Sequence, residues 1–448
     1  MKKLFILGFI ALFLVPGGLM AQEQEESSKD TAKTGFNLSG VPALAYDSDK
    51  GFLYGIILNL YHYGDGSRYP RYDHSIYMEW SNTTKGSMKS SLIYDTDRLI
   101  PGIRTAAEIS YKTEQALDFY GFNGYKALYD ENFEDDTHPT DYLSRVFYKM
   151  DRKMLILRTD FSGDILGNKL KWFAGVEFKN MAMDTVNTTK LNEGKSDEKR
   201  LPPVGGGLFG NYANNWGIIP ADQINGGSHT VLKAGLIYDT RDNEPNPMKG
   251  IWTEAQLLWS PSFLGNTSLS YTRLVITHRQ YFTIIPEDLN FAYRLSYQSK
   301  LGGEMPYYML PFVYNSPPNY TRDGLGGIKT LRGILRNRVV GEDLFYANVE
   351  LRWKFLYFKF LNQNFYLALS GFMDAGMVTG QYEIDKSGIT DPDDLKFFPD
   401  EKETLHPSAG GGLHIAWNRN FIVAVDYGRV LDKRDGLSGL YIGLDFLF

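Results

Sequence analysis

Hydrophobic and polar residues alternate with a period of two through most of this chain. In one run Tyr72, His74, Ile76, Met78 and Trp80 fall on one face, while Asp73, Ser75, Tyr77 and Glu79 fall on the other. Phe291, Tyr293, Leu295 and Tyr297 alternate in the same way with Ala292, Arg294, Ser296 and Gln298. So do Phe345, Ala347, Val349, Leu351, Trp353 and Phe355 with Tyr346, Asn348, Glu350, Arg352 and Lys354. Successive side chains of a strand point to opposite faces, so each run predicts a strand with one apolar and one ionisable face. Soluble antiparallel sheets also alternate. Here the apolar faces are crowded with Tyr, Trp and Phe, as in the interfacial girdles of a transmembrane barrel whose inner face is wet.

Segment counting predicts sixteen strands, at 35–46, 52–63, 72–82, 87–96, 102–113, 144–161, 169–183, 228–239, 249–260, 268–281, 289–300, 342–356, 363–378, 405–418, 420–430 and 438–448. The connections at 114–141, 184–227, 301–341 and 379–404 are long, and each follows an odd-numbered strand, which puts all four at one end. Short turns at one end and long loops at the other are the asymmetry of an outer-membrane barrel. The expected fold is all-β, a sixteen-stranded antiparallel transmembrane β-barrel over residues 35–448. The chain finishes on Leu440, Ile442, Leu444, Phe446 and Phe448, spaced by two, an ending similar to the C-terminal strand signal of bacterial outer-membrane barrels. The first strand carries Gly40 and Pro42. Proline removes a ladder donor, so a weak seam is expected where this strand meets the last one, with its Phe446 and Phe448.

The start of the chain reads differently. Met1-Lys2-Lys3, an apolar run from Leu4 to Val15 and the small residue Ala21 predict a secretory signal peptide at 1–21. A short polar lead without periodicity, expected to be disordered, follows at 22–34. Beyond it no run approaches the roughly 18 apolar residues of a spanning helix, which leaves a closed barrel as the means of crossing a membrane. A net charge of -6 and a pI near 5.7 give no reason to expect nucleic acid as a partner. The absence of cysteine removes disulfides, thiol nucleophiles, thiolate metal sites and a lipoprotein acylation site together.

Candidate chemistry is sparse. HExxH, GxSxG and phosphate-loop patterns are missing, and the seven histidines lack ligand spacing, so neither an enzyme nor a cofactor or metal is expected. The run Gly205-Gly206-Gly207-Leu208-Phe209-Gly210 lacks the strand and helix of a nucleotide loop and reads as a flexible outer loop. Glu131, Glu134, Asp135 and Asp136, and likewise Asp391, Asp393 and Asp394, read as solvated acidic loops, with calcium at the last group as the alternative. Three signatures remain. Asp239-Thr240-Arg241-Asp242, followed by Pro247 and Gly250, has the residues of a tight turn. The loop at 326–334 carries Arg332 among glycines and apolar residues, and burying it is costly unless the charge meets a carboxylate. Gly371-Phe372-Met373-Asp374-Ala375-Gly376 sets an acid on a strand between small residues that let another segment approach.

In this order, the export signal, sixteen strands, the Asp239-Thr240-Arg241-Asp242 turn, Leu331-Arg332-Gly333 and Phe372-x-Asp374-x-Gly376 resemble the BamA/TamA-type outer-membrane assembly superfamily, also called bacterial surface antigen proteins. The resemblance covers nearly the whole mature chain. It implies a bacterial outer-membrane location and a sixth outside loop folded into the lumen, where Arg332 bonds Asp374 and Glu350 is a second partner. It also implies a barrel that opens between its first and last strands to insert or move proteins or lipids. Two departures stand out. Ile334 occupies the tip position where the family usually has an aromatic residue, and 22–34 leaves no room for periplasmic POTRA domains, so the chain resembles the branch consisting of the barrel alone.

The competing expectations are a passive or plugged diffusion channel, a structural barrel, or a receptor that binds through its surface loops. Expected partners are outer-membrane lipids and either client outer-membrane proteins or a separate periplasmic partner.

Overall fold

The computed structural model describes residues 32–47, 51–84, 86–265, 268–316, 324–361, 363–418 and 421–448; the expected signal peptide and most of the lead lie outside them. The strands are β1 (Phe36–Asp47), β2 (Gly51–His62), β3 (His74–Thr83), β4 (Met88–Ile100), β5 (Ile103–Asp118), β6 (Lys149–Leu166), β7 (Leu170–Asp184) and β8 (Gly226–Asp239). They continue with β9 (Gly250–Ser260), β10 (Tyr271–Ile285), β11 (Leu289–Gly303), β12 (Asp343–Phe360), β13 (Gln363–Gly380), β14 (His406–Trp417), β15 (Phe421–Val430) and β16 (Ser438–Leu444). All sixteen lie in one sheet in sequence order, each antiparallel to the next.

The distribution of residue types is the reverse of a soluble protein's. Trp80, Leu92, Ile109, Trp259, Leu295, Trp353 and Ile442 are exposed, while Glu108, Arg158, Asp160, Glu177, Lys233, Arg273, Glu350 and Arg352 are buried. Charged residues are rarely buried unless paired, and an apolar outer band around a polar interior is the arrangement a transmembrane barrel requires. The alternation in the sequence is therefore the inner and outer face of one wall.

Two features depart from expectation. Apart from the arginine loop, which was expected to fold inward, the long outer connections at 119–148, 185–225 and 381–405 are packed rather than loose. Phe119, Phe122, Tyr148, Phe209, Tyr212 and Trp216 pack with Tyr307 and Phe397 in one apolar cluster that caps the outer mouth. Of their acidic residues, Glu131, Asp136, Asp391 and Asp393 are exposed, as expected, while Asp394 accepts from Trp216 Nε1 at 2.8 Å. The 205–210 run bends through Gly206 and Gly207 at positive φ into a helical turn that buries Leu208 and Phe209.

The second departure is at the end of the chain. β16 stops at Leu444, Asp445 takes a φ of 66°, and residues 446–448 turn into the lumen instead of extending the strand. Phe446 packs with Tyr366, Ala368, Ala416 and Ile422, and Phe448 with Tyr281 and Ala292. The period-two spacing of Phe446 and Phe448 thus does not place them on the outer wall. Their rings find lumenal aromatic and aliphatic partners once one left-handed residue redirects the backbone.

Among the described residues no ladder joins β1 to β16. The edges meet through side chains, with Val41, Tyr61 and Tyr63 packing against Phe421, Val423 and Leu444. At the end of the barrel opposite the long loops, Tyr69 Oη donates to the Asn418 carbonyl at 3.1 Å.

Candidate functional site: the arginine loop on the last strands

The connection between β11 and β12 has residues 324–342 inside the lumen. Its neck is closed by a bridge between Leu325 and Val339 and by Thr330, whose hydroxyl donates to the Gly324 carbonyl at 2.9 Å and accepts from the Gly326 amide at 3.0 Å. Leu325, Leu331, Ile334 and Val339 pack on Leu344, Tyr346, Val378 and Val430 of the wall. Ile334 is fully enclosed there, so an aliphatic side chain fills the position where an aromatic one was expected.

Arg332 sits at the tip with no exposed surface. Its Nε donates to Asp374 Oδ2 at 2.9 Å and its Nη2 to Asp374 Oδ1 at 3.1 Å, a bidentate fork that matches guanidinium and carboxylate geometry. The Arg332 main-chain N–H adds a third bond to Asp374 Oδ2 at 3.0 Å. Nη1 lies 2.6 Å from Glu350 Oε1 and 3.3 Å from Asp426 Oδ2. The guanidinium carbon stands 3.4 Å from the centre of the Phe372 ring.

The spacing of Phe372, Asp374 and Gly376 follows from strand geometry. Alternate residues share a face, so β13 presents a ring for the guanidinium, a carboxylate for its fork and a gap for the neighbouring Leu331. A Cβ on Gly376 would lie 2.9 Å from Leu331 Cδ1. Gly333, at a φ of 95°, presses on β15: a Cβ there would lie 2.7 Å from the Arg429 nitrogen, and one on Gly428 would lie 2.6 Å from the Arg332 carbonyl carbon. Glycine on both sides lets the two backbones touch.

The same loop grips β16. Gly333 N–H donates to Tyr441 Oη at 3.0 Å, Lys329 Nζ to the Leu444 carbonyl at 2.8 Å, and a Cβ on Gly443 would meet Ile328 Cδ1 at 2.6 Å. Glu350 in turn accepts from Arg352 Nε at 2.6 Å, and Arg352 Nη2 donates to the Phe448 main-chain oxygen at 2.9 Å. Arg352 also lies 4.5 Å from the Phe446 ring centre and 4.9 Å from that of Phe448. A continuous run of ion pairs and hydrogen bonds therefore leads from Asp374 through Arg332, Glu350 and Arg352 to the inturned tail.

Of the residues singled out in the sequence, Leu331, Arg332, Gly333, Glu350, Phe372, Asp374 and Gly376 are brought together, and Phe446 and Phe448 join them through Arg352. Gly40 and Pro42 lie on β1, away from this cluster, with Gly40 opposite Leu58 and Pro42 opposite Ile56. Asp239, Thr240, Arg241 and Asp242 lie at the other end of the barrel from the long loops. Sequence reasoning missed Asp426, Gly428, Tyr441 and Lys329. The signal that points to this region is the glycine content of the last three strands, at Gly410, Gly411, Gly412, Gly428 and Gly443.

A sequence profile of the Omp85 superfamily domain matches residues 211–446. No curated protein matches the chain. Among solved structures it is similar to BamA from Haemophilus ducreyi lacking POTRA domains 1–3, at 15% identity, covering 92% of this chain and 69% of that one, with a TM-score of 0.47. It is similar to CdiB from Escherichia coli at 9% identity over 92% of this chain and 61% of that one, with a TM-score of 0.51. CdiB from Acinetobacter baumannii shares 11% identity over 92% of this chain and 66% of that one, with a TM-score of 0.44. The chain thus spans less than two thirds of either CdiB, and the likeness to CdiB from Escherichia coli is one of fold alone. With the arginine loop and the Phe372-x-Asp374-x-Gly376 strand both inside the matched span, the chain is a bacterial outer-membrane β-barrel and belongs to the Omp85 superfamily.

Proposed function

We propose that this barrel aids the insertion or movement of proteins or lipids at the outer membrane through a seam between β1 and β16, with the arginine loop as the internal brace of that seam. The observation that carries this reading is the junction itself: two strand edges that no ladder joins among the described residues, one of them held from the inside by Lys329, Gly333 and Ile328. Unpaired backbone groups are costly in lipid, so such a junction is the part of the wall that opens at least cost. Pro42 lies on β1, an edge strand, where its missing N–H is tolerated.

A passive channel is the less favoured reading, because an aromatic cap fills the outer mouth and a charged loop fills the lumen. The charges around Arg332 pair with one another, which suits a brace. Partners under this reading are outer-membrane lipids, client outer-membrane proteins and a separate periplasmic protein that delivers clients.

Depleting the protein and measuring outer-membrane protein composition and lipid asymmetry tests the reading. Loss of other barrels or of asymmetry is expected, and unchanged levels of both would refute it. Because the chain has no cysteine, a single engineered pair, one cysteine on β1 near Val41 and one on β16 near Leu444, would lock the seam. Full function in the oxidised form would rule out lateral opening.

A further inference from the structure

The Asp239-Thr240-Arg241-Asp242 motif has a consequence at the periplasmic mouth. It begins the connection at 240–249 between β8 and β9, which is on the side opposite the long outer loops. A hairpin connection at that end ordinarily projects into the periplasm. This one folds inward, with Asn246, Pro247 and Met248 buried.

The motif residues build the fold-back. Asp239 accepts from the Arg241 amide at 3.1 Å and from its Nε at 3.0 Å. Arg241 then lies 4.2 Å from the centre of the Trp252 ring. Asp242 Oδ1 accepts from the Met248 amide at 3.0 Å and the Lys249 amide at 3.2 Å, and Thr240 Oγ1 accepts from the Ile251 amide at 3.0 Å. These bonds fix a rigid base from which the middle of the turn projects.

The projecting residues reach distant walls. Arg104 Nη1, on β5, donates to Glu244 Oε1 at 3.1 Å and Oε2 at 2.8 Å, while its other nitrogens hold Asp95 on β4. Asn246 Nδ2 donates to Tyr366 Oη on β13 at 2.6 Å. The Pro247 carbonyl accepts from Asn290 on β11 and the Met248 carbonyl from Thr283 on β10, both at 3.0 Å. In a sheet of sixteen strands running in order, β5 and β13 are eight strands apart in either direction. They are diametrically opposite, so the contacts at Glu244 and Asn246 span the mouth. Burial works against the Glu244 charge, but Arg104 and then Arg241 outweigh it and hold its pKa down at about 2.

We propose that residues 240–249 form a crossbar that closes the periplasmic mouth of the barrel, tied to opposite walls by Glu244 with Arg104 and by Asn246 with Tyr366. The arginine loop and the aromatic cap close the outer side, so the crossbar is a separate barrier that neither of them replaces. It goes beyond the seam reading and does not depend on it.

A cysteine at Ala106 tests it. Ala106 is buried on β5, two residues past Arg104 on the same face, and the chain has no other cysteine. The probe is a charged, membrane-impermeant maleimide added from the periplasmic side of protein reconstituted in liposomes. Replacing 241–249 by a two-residue Asn-Gly hairpin is expected to speed labelling by a factor on the order of ten. The milder variants Asn246→Ala and Tyr366→Phe keep the turn and are expected to fall between, with coupled effects in combination. Retained heat-modifiable gel mobility identifies variants that still form the barrel. Equal labelling with and without the turn in a folded barrel would overturn the crossbar. Locking the seam by disulfide is expected to leave the labelling rates unchanged, so a dependence on that lock would assign the entry path to the seam and overturn the crossbar as the periplasmic barrier.

Discussion

Replacing Arg332 by alanine leaves Asp374, Glu350 and Asp426 facing one another, with Arg352 as the nearest remaining guanidinium, on Glu350. Replacing Asp374 leaves Arg332 with two carboxylates. Removing one partner of a buried ion pair costs about 3–5 kcal/mol, because the other charge stays in a poorly solvated site. Arg332→Ala is therefore expected near the top of that range and Asp374→Ala lower in it. Two independent changes of about 4 kcal/mol each would sum to about 8 kcal/mol. Groups in direct contact couple by about 0.5–3 kcal/mol, so the double variant is expected to lose only about 5–7 kcal/mol. Arg332→Lys keeps the charge but not the two-pronged bond or the flat stack on Phe372, and is expected to cost about 1.5–3 kcal/mol. Urea unfolding of the four proteins in one detergent, followed by tryptophan emission, gives the cycle from midpoints and slopes. Strict additivity of Arg332→Ala and Asp374→Ala would mean that the two side chains do not stabilise each other, and the brace would fall with it.

Other outcomes follow from the same geometry. His406, at the outer end of β14, places one ring nitrogen 2.6 Å from Asp435 and the other 3.1 Å from Glu403. Its ring stacks on Tyr125, and Arg434 and Arg338 lie beside Tyr125 and Asp435. His406→Gln, which breaks this pairing, is expected to speed hydrogen exchange in 119–148 and 381–405 at a single fixed pH; unchanged exchange there would refute the assignment. Gly333→Ala faces both a left-handed φ and the β15 backbone, so about 1–3 kcal/mol of destabilisation is expected in the same urea assay, and a neutral effect would mean the loop does not press on Gly428. Arg352→Ala is expected to free the tail, seen as faster labelling of a cysteine placed at Leu447; unchanged labelling would show that the rings alone hold it.

The wall was legible because period-two alternation has one physical cause, a strand with two different faces. β2, β9, β13 and β15 fall within two residues of their expected spans. Arg332 and Asp374 were legible through the family resemblance and through the cost of a buried guanidinium. Asp426 was not, since an acid sharing a face with Ala424 and Gly428 reads as any lumenal position and its partner depends on barrel closure. The aromatic cap escaped for a related reason: Phe119, Tyr212 and Phe397 come from separate irregular loops without a shared period. At the end of the chain, alternation continued through Phe448 although the backbone turned at Asp445. Spacing alone carries no sign of a positive φ.

The position of the brace bears on how a seam would be controlled. β16 has seven residues, against eighteen in β12 and β13, so its ladder to β15 supplies little of what holds it. Lys329, Gly333 and Ile328 add contacts from the lumen, and the inturned tail beyond it is held by Arg352. Lys329, Gly333 and Ile328 belong to the same loop tip that Arg332 docks on Asp374 and Glu350. The docking equilibrium of the loop and the pairing strength of β16 are then linked, and linkage is reciprocal. If the seam opens as proposed, locking it shut should strengthen loop docking by the same free energy by which docking strengthens the seam. Arg332→Ala should accordingly be milder in the disulfide-locked protein than in the reduced one, and equal effects in the two states would uncouple the brace from the seam.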